Sequence, residues 1–253
     1  MNSTQRFSSR VENYVKYRPS YPPALVQFLA KECGLSPNDV IADIGSGTGL
    51  LTKLFLDNGN HVMGVEPNRE MREAGERFLA ACPNFISVDG TAEATTLNDA
   101  SVDAVIAGQA FHWFDIDKAR REFLRILKPA GWVALIWNAR RVDSSPFQRE
   151  YDQLLRTYSE EYARTNHQDA VTDEAIEAFF DSRVGRARFD NAQQFDFDGL
   201  LGRLMSSSYA PEAGHPSHAP LVKALRDLFD KHQRAGVVTF EYDTEVYFGR
   251  LDA

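Results

Sequence analysis

Over its first 137 residues, this chain alternates between two hydrophobic periods. Leu25, Val26, Phe28 and Leu29 recur at helical spacing behind Tyr21-Pro22-Pro23. Proline is pre-set for a first helical turn, so the pattern predicts a helix that ends near Gly34. Val40–Ile44 is a short apolar strand that stops in a glycine-rich turn. Leu50, Leu51, Leu54 and Phe55 return to the helical period, with Gly59 as the C-terminal stop. His61–Val65 predicts a second strand and residues 68–80 a helix with Met71, Ala74 and Phe78 inward. Phe85–Val88 and Val102–Gly108 follow as strands, then a helix over 117–127, a turn at Pro129-Ala130-Gly131 and a fifth strand over 132–137. Strands alternating with helices of about ten residues predict right-handed crossovers and a parallel sheet.

The pattern breaks after Trp137. Phe147, Tyr151, Leu154, Leu155, Tyr158 and Tyr162 predict a long amphipathic helix, followed by a short one around Ile176, Phe179 and Phe180. Residues 186–194 are a candidate sixth strand, 200–205 a short helix and 206–217 a loop. Leu221, Leu225, Leu228 and Phe229 mark a further helix, and 237–250 a long last strand rich in β-branched and aromatic residues. No repeat or linker divides the chain. One domain over 1–253 is expected, with an N-terminal strap (1–24), a core (38–137), helical elements with the sixth strand (138–235) and the last strand (237–250).

Charge and composition narrow the partners. With 28 Lys and Arg against 36 Asp and Glu, the net charge of −8 argues against general nucleic-acid binding, which needs clustered cations. The longest apolar run, 132–137, is far too short to cross a membrane, and residues 1–7 hold neither a signal-peptide core nor a myristoylation glycine. Two cysteines make no disulfide scaffold, and neither they nor the histidines show metal-ligand spacing. The expectation is a cytoplasmic, metal-free protein with a small-molecule partner, whether monomer or homodimer.

The chemistry concentrates at Asp43-Ile44-Gly45-Ser46-Gly47-Thr48-Gly49, between the first strand and its helix. Glycines there let the backbone turn sharply and approach a ligand beside a helix N-terminus. A dinucleotide fold uses G-x-G-x-x-G; here the third glycine comes one position early and an aspartate opens the turn. A carboxylate at that point repels a pyrophosphate and suits a ligand carrying positive charge. Glu66 ends the second strand 17 residues after Gly49, where a carboxylate can accept from two ribose hydroxyls. Asp89-Gly90-Thr91-Ala92-Glu93 follows the third strand, at the edge where an adenine would lie.

With these motifs in order, the chain resembles the class I S-adenosylmethionine (SAM)-dependent methyltransferases, closest to the type 11 small-molecule branch that includes trans-aconitate methyltransferase-like enzymes. The resemblance rests on Asp43 to Gly49, Val65-Glu66-Pro67, Gly90-Thr91-Ala92-Glu93, Ser101-Val102-Asp103 and Leu127-Lys128-Pro129-Ala130-Gly131, and covers about 38–137. It implies an α/β, Rossmann-like, doubly wound seven-stranded sheet, mostly parallel with an antiparallel last strand, plus helical lid elements. It implies SAM as cofactor, S-adenosylhomocysteine (SAH) as product, and cofactor contacts from Asp43, Gly45, Ser46, Gly47, Thr48, Gly49, Glu66, Pro67, Gly90, Thr91, Ala92 and Glu93. Two positions depart from the family pattern: Thr91 replaces a frequent acidic residue that contacts the adenine amino group, and Ala130 the first glycine of a usual pair.

Gln109-Ala110-Phe111-His112-Trp113 follows the fourth strand, facing the transferred methyl. Amino-group methyltransferases of nucleic acids and glutamine often carry Asn or Asp, Pro, Pro and an aromatic residue there, so this chain points to another acceptor class. His112 is a candidate general base for a hydroxyl, or a residue that packs beside Trp113; Gln109 is a second catalytic candidate and a cofactor contact. Phe111 and Trp113 line the pocket or pack in the core. In the N-terminal segment, Tyr14, Tyr17 and Arg18 close over the methionine end, with Arg18 on its carboxylate, or form a hydrophobic strap. Ser208 and Tyr209 offer hydroxyls to a polar substrate, or serve only the loop. A carboxylate acceptor needs no base, whereas a hydroxyl does. The rival readings are a NAD-dependent oxidoreductase, which the glycine spacing and Asp43 disfavour, and a non-catalytic SAM-binding protein.

Overall fold

A computed structural model describes residues 15–159, 162, 171–180 and 183–251. Tyr14 lies outside them. The chain builds one sheet from β1 (Val40–Ile44), β2 (His61–Val65), β3 (Phe85–Val88), β4 (Val102–Gly108), β5 (Leu127–Arg140), β6 (Gly185–Phe195) and β7 (Val238–Gly249). Their order across the sheet is β3-β2-β1-β4-β5-β7-β6. β1 to β5 pair in parallel, and β7 lies antiparallel between β5 and β6. The expected seven-stranded sheet with one antiparallel last strand is what forms. Residues 41–44 of β1 and 104–107 of β4 are buried side by side, which explains the continuous apolar run of β4 and the apolar residues around Asp43 in β1; β7 alternates buried and half-exposed positions along most of its length.

Among the described residues, eight α-helices of eight or more residues flank the sheet: α1 (Ala24–Cys33), α2 (Leu50–Asp57), α3 (Arg69–Phe78), α4 (Ile116–Ile126), α5 (Pro146–Tyr158), α6 (Asp173–Phe180), α7 (Phe197–Met205) and α8 (His218–His232). Leu25, Leu29 and Phe55 from α1 and α2 cover one sheet face over Ile41, Ile106 and Ile136. Phe123 of α4 and Phe179 of α6 cover the other, over Ala42, Val105 and Leu135. A third apolar cluster joins α5, α7 and α8 to β7 through Tyr151, Leu200, Leu225 and Phe240. Sheet and helical elements are thus continuous in packing.

Several boundaries differ from the sequence pattern, each for a local reason. The helix expected over 117–127 begins at Ile116, because Asp115 caps it by accepting from Lys118 N at 3.3 Å. The helix expected from 200 begins at Phe197, because Asp196 accepts from Gly199 N at 2.8 Å. The aromatic helix stops at Tyr158 instead of reaching Tyr162; Ser159 turns there and its hydroxyl donates to Tyr209 O at 2.6 Å. The expected turn at 129–131 is a bulge inside β5. Val102 pairs with Leu127 and Ala104 with Trp132, so β5 advances five residues while β4 advances two, and Ala130 takes a φ of 66°. β5 also continues past Trp137 to Arg140, because β7 pairs with it as far as Tyr242.

Residues 15–22 lie over the C-terminal end of the sheet. Gln193 Nε2 donates to Tyr17 O and Arg18 O, both at 3.3 Å, and Asn191 Nδ2 to Ser20 O at 2.7 Å. The Tyr21 side chain is buried against Gly108.

Candidate active site

The chain leaves β1 for α2 and β2 on one side, while β4 lies on the other, so the order reverses beside β1. In an open α/β sheet the crevice outside such strand ends receives ligands. The turn there is shaped by Gly45 (φ 69°) and Gly47 (φ 56°), left-handed conformations that L side chains rarely adopt. A Cβ on Gly45 would stand 2.6 Å from Ala110 Cβ, so the turn also needs glycine for close packing. Gly45 N and Ser46 N donate to Val65 O at 2.8 and 3.1 Å, which ties the turn to the end of β2.

Two carboxylates meet at this turn, Asp43 from its start and Glu66 from the end of β2. Glu66 is buried; its Oε2 accepts from Gly47 N at 2.9 Å and its Oε1 from Asn68 N at 2.8 Å. Burial raises its pKa against the lowering effect of those two N–H donors. Asp43 is 1% exposed and accepts from the Thr52 hydroxyl at 2.6 Å through Oδ2. Desolvation, partly opposed by that hydrogen bond and reinforced by the Glu66 charge, pushes its pKa up to about 7. Asp43 Oδ1 and Thr48 Oγ1 are buried with no hydrogen-bond partner among the described residues. Buried polar atoms are rarely left so, and these two ask for a ligand.

A cavity of about 510 Å³ opens on both of them. It runs from Asp43, Gly45, Ser46, Gly47 and Thr48 past Gln109 to Asn138, Arg140, Tyr162, Arg203 and Tyr209. Arg18 closes it from above, its Nη2 donating to Ser206 O at 3.0 Å. Gln109 reaches the cavity through a strained backbone (φ 58°), and its Nε2 donates to Asn138 O at 3.2 Å.

Residues 42–135 match the family model described as a methyltransferase domain, Methyltransf_11. This stretch, less than half of the chain, is similar to a methyltransferase domain. An uncharacterized methyltransferase of Mycobacterium tuberculosis is 40% identical over 134 residues, covering 53% of this chain and 52% of the relative. Another from Schizosaccharomyces pombe is 35% identical over 150 residues, covering 59% of this chain and 58% of the relative. The chain therefore spans little more than half the length of these curated relatives. A solved structure of a candidate type II methyltransferase from Anaeromyxobacter dehalogenans is 25% identical, with a TM-score of 0.68 over 94% of this chain and 100% of that one. A second solved structure, of a candidate methyltransferase from an antibiotic biosynthesis pathway of Anabaena variabilis, shares the fold with a TM-score of 0.64 at 20% identity, over 93% of this chain and 99% of that one.

The structure brings Asp43, Gly45, Ser46, Gly47, Thr48, Gln109, Arg18 and Tyr209 to one cavity. Other expected residues stand elsewhere. Gly49 begins α2 behind the turn. Pro67 is exposed, Ala92 is buried in the core beneath the sheet, and Gly90, Thr91 and Glu93 do not line the cavity. Glu93 accepts from Asp115 N at 2.9 Å, and Asp89 pairs with Arg72 at 2.9 Å, so both secure loops. Phe111 is 1% exposed and packs edge-on against Phe179 with centroids 4.8 Å apart, which is core packing and not pocket lining. His112 and Trp113 lie in a 3₁₀ turn with their rings 4.7 Å apart, and neither lines the cavity. Tyr17 packs on helix α7, where a Cβ on Gly202 would meet its ring at 2.1 Å, and Ser208 is likewise outside the lining.

The residues missed from the sequence are Asn138, Arg140, Tyr162 and Arg203. The first two stand on the part of β5 beyond Trp137. Arg203 sits on the inner side of α7, where an arginine among Leu200, Leu201 and Leu204 was the available signal. Arg203 and Arg140 both act on Tyr209. Its burial raises the phenol's pKa, but Arg203, Arg140 and Arg18 outweigh that and leave it lowered. Among the described residues, no group of three His, Cys, Asp or Glu could hold a metal ion, and no helix is long and apolar enough to cross a membrane.

Proposed function

We propose that the chain is a SAM-dependent methyltransferase that acts on a hydroxyl or carboxylate of a small molecule, in keeping with its resemblance to the trans-aconitate methyltransferase-like branch. The observation that carries the reading is the pair of orphaned buried atoms, Asp43 Oδ1 and Thr48 Oγ1, facing a cavity beside a glycine turn. A buried carboxylate with an open acceptor fits a ligand bearing an ammonium and a sulfonium, and does not fit a pyrophosphate. Bound there, SAM would supply a methyl group already activated for transfer.

The protein's share is positioning. Gly45 and Gly47 let the backbone approach the ligand, and Glu66 fixes the turn while offering its carboxylate to the ribose side. Gln109 and Arg18 flank the opposite end, the latter toward the methionine carboxylate. Residues 15–22 cover the crevice and exclude water from the transfer. The net charge of −8 suits a cytoplasmic small-molecule enzyme better than one that acts on nucleic acid. The test is transfer of a radiolabelled methyl from SAM into fractionated cell extract. Label in low-mass products is expected; label confined to protein or nucleic acid, or none at all, overturns the proposal.

A further inference from the structure

The cavity has a second pole, built of cations. Arg203 lines it and is only 7% exposed. Its Nε donates to the Tyr242 hydroxyl at 3.2 Å and its Nη1 to Ser207 Oγ at 3.1 Å. Both partners are neutral, and among the described residues Arg203 forms no ion pair. Arg140 lines the same cavity, with Nη2 on Asp152 at 2.8 Å. Arg156 also claims Asp152, at 2.6 Å, so one carboxylate answers two guanidiniums. Arg140 Nη1 is buried and has no hydrogen-bond partner among the described residues.

These two arginines converge on Tyr242, which lies opposite Arg140 in the β5–β7 ladder and accepts from Arg203. The acidic residues of the cavity do not balance them. Asp43 sits at the turn, bonded to Thr52, and Asp173 is paired with Arg186 at 2.6 Å. Glu245 is three positions along β7 from Tyr242, so the pleat turns it to the other face of the sheet. A buried cation without a counter-charge is costly, and a protein that keeps one beside a ligand cavity leaves the counter-charge to the ligand.

We propose that the methyl acceptor is a small acid whose carboxylate is received between Arg140 and Arg203, making these two arginines specificity-determining residues of the site. Guanidinium forks match a planar carboxylate through paired N–H donors, and the Tyr162 and Tyr209 side chains flank them at the cavity wall. The carboxylate is a recognition handle here, whichever atom of the acid takes the methyl. The acid's role as methyl acceptor rests on the methyl-transfer reading; its binding between the two guanidiniums does not.

The test uses the full chain loaded with SAH and titrated calorimetrically with glutarate and phenylacetate, each beside its uncharged amide, and with inorganic phosphate. At least one acid is expected to bind, with its amide and phosphate each about tenfold weaker or more. Arg203→Gln should weaken that acid by about tenfold while leaving SAH affinity within about twofold, and Arg203→Lys should fall between. Amides binding as well as acids, phosphate binding tighter than both acids, SAH binding with neither acid, or unchanged acid affinity in Arg203→Gln would each overturn the proposal. Should Arg203→Gln not fold, the acid–amide comparison on the unaltered chain still decides it. Loss of SAH binding itself would instead count against the cofactor reading, and the acids are then titrated into the unloaded protein.

Discussion

The two ends of the cavity are built by different means. At the turn, the working groups are backbone N–H groups, glycines and one carboxylate, drawn from seven consecutive residues, Asp43 to Gly49. At the far end they are side chains, brought from the N-terminal segment, β5, α7 and the loops beside α5 and α7. The hydrogen bond from Arg18 to Ser206 O spans 188 positions of sequence. A turn of fixed local geometry constrains residue types at fixed spacing. A pocket assembled from distant side chains constrains only their meeting in space, so it can change its chemistry while the turn keeps the same one. The match to the methyltransferase family model has the same asymmetry, covering 42–135 and stopping short of Asn138.

The largest expected effect lies at the turn. Glu66→Ala removes the acceptor of two backbone N–H groups and the proposed ribose contact. Charge-assisted hydrogen bonds contribute about 1.5–3 kcal/mol, so SAH affinity should fall by roughly tenfold to a hundredfold. Calorimetry on the folded variant checks this, and an unchanged dissociation constant would remove Glu66 from the cofactor end. A second substitution probes the join between the two ends. Gly202→Ala would drive a Cβ into the Tyr17 ring and loosen residues 15–22, with a loss of about 1–3 kcal/mol in denaturant unfolding. Stability equal to the parent would mean that the N-terminal segment is not held by this packing.

Asp43 supplies a pH test of intermediate size. Its folded pKa of about 7 lies above the ordinary carboxylate value, so the ligand-free fold takes up a proton there. Its favourable contribution to stability is complete below about pH 4 and is lost as pH rises through 7. A ligand ammonium beside Asp43 prefers the ionised form and pulls the other way. SAH affinity should therefore rise about tenfold between pH 6 and pH 8, and Asp43→Asn should flatten that rise. The smallest effect separates Gln109 from its neighbour. Gln109→Ala should weaken SAH severalfold, whereas His112→Ala, outside the cavity lining, should leave it within about twofold. Equal losses would return His112 to the site.

Legibility in the sequence followed the same division. Strands β1 to β4 were readable from their apolar runs, and the turn from Gly45, Gly47 and Gly49 behind Asp43, because local conformation dictates those residues. The family resemblance supplied the antiparallel last strand. Beyond Trp137 the reading weakened for identifiable reasons. β5 reaches Arg140 only because β7 pairs with it there, a contact between segments about a hundred residues apart that no local pattern announces. Phe111 and Trp113 are both candidate pocket residues because aromatic side chains serve either role; burial against Phe179 decides for the core at Phe111, whereas Trp113 is exposed beside His112. Arg203 was hidden inside an apolar helix face, where only the finished fold reveals a cavity on its other side.

The central claim is that the Asp43–Gly49 turn and its cavity hold SAM and its product. Its most direct measurement is calorimetric titration of the purified chain with SAH and, separately, with NADH, at pH 8. The account predicts a single SAH site per chain and no heat from NADH. NADH binding with SAH silent would contradict it and make the glycine turn a dinucleotide site despite its aspartate.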